Sequence, residues 1–84
     1  MSISLELYQQ FILDESINSM SFCDPHIALA TSSKKVILFH INSKEIEHVF
    51  ESHTDYVRSV DFSQDGHLIA SGSDDTTVKI WNKS

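Results

Sequence analysis

The stretch SHTDYVRSVDFSQDGHLIASGSDDTTVKIWN, Ser52 to Asn82, decides how the rest of the chain is read. It holds three short runs rich in β-branched and aromatic residues: Tyr56–Phe62, Leu68–Ser71 and Thr77–Trp81. Gln64-Asp65-Gly66 separates the first two and Gly72-Ser73-Asp74-Asp75-Thr76 the last two. Both linkers carry Gly and Asp, which tolerate the backbone angles of tight turns. The pattern predicts an antiparallel meander.

Working outward, the same pattern recurs upstream. Ser19 and Ser59 lie 40 residues apart, as do Phe22 and Phe62, and Ala30 and Ala70. That shift also pairs Ile17 with Val57, Met20 with Val60, Leu29 with Ile69 and Thr31 with Ser71. Val36, Leu38 and Phe39 pair with Val78, Ile80 and Trp81 at a shift of 42, and Ser4, Glu6, Leu7 and Phe11 with Ser43, Glu45, Ile46 and Phe50 at 39. The chain therefore reads as two copies of one unit, with length changes in the loops. The predicted strands are 5–11, 17–22, 27–31 and 36–41 in the first copy, and 45–51, 56–62, 68–71 and 77–81 in the second. Leu5, Tyr8 and Ile12 also fit one face of a helix; the internal repeat decides for a strand.

A Ser52-His53 pair ahead of a Trp81-Asn82 pair, with VRSVDFSQDGHLIASGSDDTTVKIW between, resembles the WD-repeat family. Ser52 stands where the family has Gly, and Asn82 where it has Asp. The resemblance implies an all-β fold of two four-stranded antiparallel propeller blades, a partial WD-repeat β-propeller. Residues 4–41 would be a divergent repeat and 43–82 a near-consensus one. In this family each sequence repeat supplies the outer strand of one blade and the inner three of the next, so only 17–51 would form a complete blade. Two blades alone would expose apolar sheet face and unpaired edges. Either further blades in cis or self-association in trans would cover them.

The resemblance also implies site residues. His53, Ser71, Asp75 and Trp81 match the family's hydrogen-bonded structural tetrad, with the indole donating to Ser71, Ser71 meeting His53, and Asp75 holding the other ring nitrogen. Such a network would satisfy polar groups that burial strands, and the Trp makes this Ser-His-Asp set a brace rather than a catalytic triad. The first copy has Phe39 in place of Trp81, Thr31 in place of Ser71, Leu13-Asp14 in place of Ser52-His53, and Ser33-Lys34 in place of the Asp turn. Its turn, Ser32 to Lys35, reads as two residues shorter and basic. On the family's partner-binding top face the exposed positions would be Tyr56, Arg58 and Asp74, with Ser16 and Asn18 equivalent in the first copy. Tyr and Arg are enriched among binding hot spots.

Composition bounds the rest. An 84-residue chain is at most one small domain. Its formal charge is −6, and apart from Lys34-Lys35 its cations are scattered, which argues against direct nucleic-acid binding. The one cysteine, Cys23, makes no internal disulfide and fits a reducing cytoplasmic or nuclear setting. Neither a signal peptide nor a membrane span is expected. The five histidines lack metal-ligand spacing, although His26 and His67 fall at matching turn positions. No catalytic site, cofactor or metal is expected. The expectation is a non-enzymatic scaffold for protein or peptide partners, with a purely structural propeller segment as the alternative and a propeller enzyme further behind.

Overall fold

The structure is a computed structural model that describes residues 16–83. The expected strand 5–11 and the repeat boundary at residue 4 lie outside the described residues. Seven strands follow in order: β1 (Ile17–Cys23), β2 (His26–Thr31), β3 (Val36–His40), β4 (Glu45–Phe50), β5 (Val57–Phe62), β6 (Leu68–Ser73) and β7 (Val78–Asn82). They form two antiparallel meanders, β1-β2-β3-β4 and β5-β6-β7. The first sheet has all four expected strands. Among the described residues the second has three, and nothing pairs with the outer edge of β7.

The two sheets stack. Ala28, Ala30, Val36, Leu38 and Phe50 of the first pack on Val57, Val60 and Ile69 of the second, with Phe62 and Trp81 alongside. The small Ala28 and Ala30 let the sheets approach; the larger side chains fill the space between. The opposite face of the first sheet is apolar too, and Ile27, Leu29, Ile37, Phe39 and Ile41 are all buried there.

The registers correct the alignment of the two copies. β1 matches β5 at a shift of 40, and both carry a bulge at the same place, between Ile17 and Ser19 and between Val57 and Ser59. β2, however, matches β6 at 42. Ile27 faces Phe22 as Ile69 faces Phe62, so Ile27 corresponds to Ile69, Leu29 to Ser71 and Thr31 to Ser73. The two extra residues lie in the hairpin between β5 and β6, which turns through Gln64–His67 where the first copy turns through Asp24-Pro25. The next turns are equal in length. Thr31 N–H donates to Lys35 O at 3.1 Å and Ser73 N–H to Thr77 O at 3.2 Å, and Lys34 and Thr76 share a left-handed backbone, φ 71° and 72°. The turn from Ser32 to Lys35 is therefore not the shorter one, and His26, which opens β2, is not the counterpart of His67. A slip of two keeps every side chain on its own face, so alternation could not reveal it.

Gly66 makes the longer hairpin possible. Its φ is +78°, and a β-carbon there would sit 2.8 Å from Cys23 Sγ.

Candidate functional site: a buried polar chain and an exposed rim

The turn chemistry after β6 and the aromatic on β7 bring four distant side chains together. Trp81 Nε1–H donates to Ser71 Oγ at 2.8 Å, Ser71 Oγ lies 2.7 Å from His53 Nε2, and His53 Nδ1 lies 2.9 Å from Asp75 Oδ2. A carboxylate only accepts, so Nδ1 carries the imidazole proton and Nε2 takes the Ser71 hydroxyl proton. Donation thus runs one way, Trp81 to Ser71 to His53 to Asp75. Ser71 is 1% exposed and His53 6%, so both depend on each other for hydrogen bonds.

Asp75 anchors the chain. Its Oδ1 accepts from the Thr77 hydroxyl and, at 2.9 Å, from Thr77 N–H; Oδ2 also accepts from Thr54 N–H at 3.0 Å. The Thr77 hydroxyl, followed by Thr54 N–H and His53, holds this carboxyl well below the usual carboxylate range. Thr77 and Thr54 were not singled out from sequence. The available signal was an Asp followed two residues later by a Thr in a turn, the Asx-turn spacing. Ser73 was missed as well: its Oγ donates to Tyr56 O at 2.9 Å and accepts from Asp75 N–H at 3.1 Å.

The first sheet has no such chain among the described residues. With the corrected register Leu29, not Thr31, occupies the place of Ser71, and Phe39 that of Trp81. Thr31 instead bonds within its own turn, donating to Lys35 O at 2.9 Å. Leu29 and Phe39 pack together in the apolar cluster.

Tyr56, Arg58 and Asp74 also come together, at the strand ends where these turns lie. Arg58 Nε and Nη2 both meet Asp74 Oδ2, at 2.8 and 2.7 Å, and the guanidinium carbon lies 5.1 Å from the Tyr56 ring centre. Asp74 N–H donates to Tyr56 O at 3.0 Å. The hydrogen bond to Asp74 raises the already high guanidinium pKa. Asn18 and Ser32 form the same cross-strand pair in the first sheet, at 3.1 Å, and Asn18 Nδ2 reaches Val57 O across the seam at 2.9 Å. Ser16 O accepts from Ser32 N–H.

Among the described residues, no group of three His, Cys, Asp or Glu side chains is placed to hold a metal ion. Among the described residues there is no helix long and apolar enough to cross a membrane.

Comparison with known proteins shows that residues 44–82 match the family model described as WD domain, G-beta repeat. The chain is 36% identical over 72 residues to the Target of rapamycin complex subunit LST8-1 of Arabidopsis thaliana, covering 82% of this chain and 24% of that protein. It is 33% identical over 82 residues to the Serine-threonine kinase receptor-associated protein of Rattus norvegicus, covering 95% and 23%. A Ribosome biogenesis protein BOP1 homolog of Drosophila virilis is 61% identical over 33 residues, 39% of this chain and 4% of that protein. The chain spans about a quarter or less of the length of these relatives.

Proposed function

We propose, from the premise that residues 44–82 are a WD repeat of the G-beta kind, that the chain works as a non-enzymatic protein-interaction segment of a β-propeller. In this reading 4–41 is a divergent repeat and 43–82 a near-consensus one. His53, Ser71, Asp75 and Trp81 brace the second blade, and Tyr56, Arg58 and Asp74 meet a protein or peptide partner.

The observation that carries the reading is the state of the rim. Arg58 and Asp74 cancel each other's charge through one carboxylate oxygen. Both contacts fall on that single oxygen, and the two side chains stay exposed, offering a guanidinium donor and a carboxylate acceptor together. That pairing suits a peptide amide, which offers a C=O and an N–H of its own. Tyr56, 43% exposed, supplies area next to it. A relative named as a complex subunit supports partners of this class. A cytoplasmic or nuclear place of action belongs to the same proposal, supported by the free thiol of Cys23.

The Ser-His-Asp order does not argue for catalysis. Ser71 Oγ is enclosed in the sheet and already takes the Trp81 indole proton, so an electrophile has no line of approach. The second reading, a purely structural segment, is favoured by the open face of the second sheet. Val78 and Ile80 are 74% and 61% exposed, whereas their counterparts Val36 and Leu38 are 0% and 3%. Blades in cis or a second chain in trans would cover that face.

Affinity capture with the full-length protein separates the two readings. The double substitution Tyr56→Ala/Arg58→Ala is expected to lose at least one partner while leaving the circular dichroism spectrum unchanged. An unchanged partner set with an intact fold supports the structural reading instead.

A further inference from the structure

A second polar chain crosses the seam between the sheets, at the strand ends opposite the rim. Lys83, just past β7, brings Nζ to 3.4 Å from His26 Nδ1 at the start of β2. The other nitrogen of that ring, Nε2, meets Glu47 Oε2 on β4. An ammonium has protons to give and no lone pair, and a carboxylate has the reverse. That arrangement fits a neutral ring, bare at Nδ1 and protonated at Nε2. Its side chain is 14% exposed, and it lies in a cleft of about 490 Å³ between the sheets.

We propose that this chain is a proton-operated latch on the seam: uptake of one proton at His26 Nδ1 releases Lys83 and opens the seam at that end. Protonation removes the only lone pair Lys83 can use and sets two cations face to face, while the bond to Glu47 survives. Among the described residues, three further polar links cross the seam without an imidazole. Asn18 reaches Val57 O, the Ser21 hydroxyl donates to Asp61 at 3.1 Å, and Phe62 N–H donates to Ser21 Oγ at 3.2 Å. Opening is thus confined to one end, with the rest of the seam as hinge.

The surrounding charges come from every neighbouring element. His40, at the end of β3, meets His26 edge to face at 5.3 Å, and its Nδ1 accepts from Ser43 N–H. His48 on β4 and His67 in the β5–β6 turn line the same cleft. A charge on any of these rings adds to the repulsion on Lys83. Glu45, opposite His40 on β4, Asp24 in the β1–β2 turn and Asp65 beside His67 oppose it. None of these three bonds His26, so they moderate the release without replacing the lost contact.

The test is nitrogen-15 NMR of the whole chain between pH 7.5 and 5.5. At pH 7.5 His26 is expected to show a bare Nδ1 and a protonated Nε2, with a nuclear Overhauser contact between its ring and the Lys83 side chain. That contact disappears in step with His26 titration. Over the same step exchange of the Lys83 amide, which donates to His67 O at 2.9 Å, rises roughly tenfold beyond its intrinsic pH dependence. In Lys83→Gln the carboxamide can donate or accept, so neither change follows the titration. A protonated Nδ1 at pH 7.5, or a Lys83 contact that persists once His26 is charged, overturns the proposal. So does the same exchange response in Lys83→Gln.

Discussion

Replacing Trp81 by Ala is expected to remove about 3 kcal/mol of stability, the low end for truncating a buried aromatic because part of the ring stays exposed. In a domain of this size that is a fall of about 12 °C or more in melting temperature. Two losses combine. The indole stacks on Phe50 of the other sheet, centroids 4.8 Å apart and planes tilted by 34°, and its N–H is the first donor of the chain through Ser71. Trp81→Phe separates them: it keeps most of the contact area and removes only the donor, for an expected cost of about 1 kcal/mol. The first sheet already lives with that substitution, because Phe39 there is matched by Leu29 rather than by a hydroxyl. Trp81→Phe combined with Ser71→Leu should therefore cost less than the sum of its single changes. Thermal unfolding of the four chains checks this, and strict additivity would sink the brace. Acid attacks the same chain from its other end. Asp75 has a folded pKa below its unfolded value, so its contribution is complete above the unfolded carboxylate range, about 4, and is lost as pH falls toward the folded pKa.

Substituting the open face of the second sheet is expected to change the state of the chain rather than its fold. Val78 and Ile80, on β7, stand side by side with Ala70 and Gly72 on an exposed sheet face, and among the described residues the outer edge of β7 is unpaired. Both features promote association. Val78→Lys/Ile80→Lys should leave thermal unfolding nearly unchanged, since neither side chain is buried, yet abolish concentration-dependent association in analytical ultracentrifugation. Where a further blade covers this face, the same pair should be strongly destabilising, by burying two unpaired charges. Association that is unaffected by the lysines would show that the face is not what drives it.

The fold was legible because period-two alternation and turn residues repeat twice along the chain. The strand Val57–Phe62, the Gly66 turn and the Trp81 strand all declare themselves within a few residues, whereas the bulge between Val57 and Ser59 shows only in the register. The tetrad residues came from family resemblance, and the structure joins them in one hydrogen-bonded chain. The correspondence of the two copies was less legible. Ala30 and Ala70 are identical and 40 residues apart, yet Ala30 corresponds to Gly72 because the hairpin at Gln64–His67 is longer by two. A shift by two costs nothing in alternation, so only the hydrogen-bonded register could reveal it. The cancelled charge of Arg58 was also hidden. Sequence places Asp74 sixteen residues away, and only the hairpin brings it within 2.7 Å.

The central claim is that, among the described residues, the second sheet has an open outer edge at β7 and an open face at Val78 and Ile80. Amide hydrogen exchange tests it directly by comparing β3 with β7, the same strand of the two copies. β3 is paired on both sides, with β2 and β4; β7 is paired with β6 alone. Across 36–40 the amides should be protected without interruption. Across 78–82 protection should alternate, with the amides facing β6 slow and those facing outward exchanging near the intrinsic rate. Unbroken protection along β7 in the monomeric chain would contradict the account.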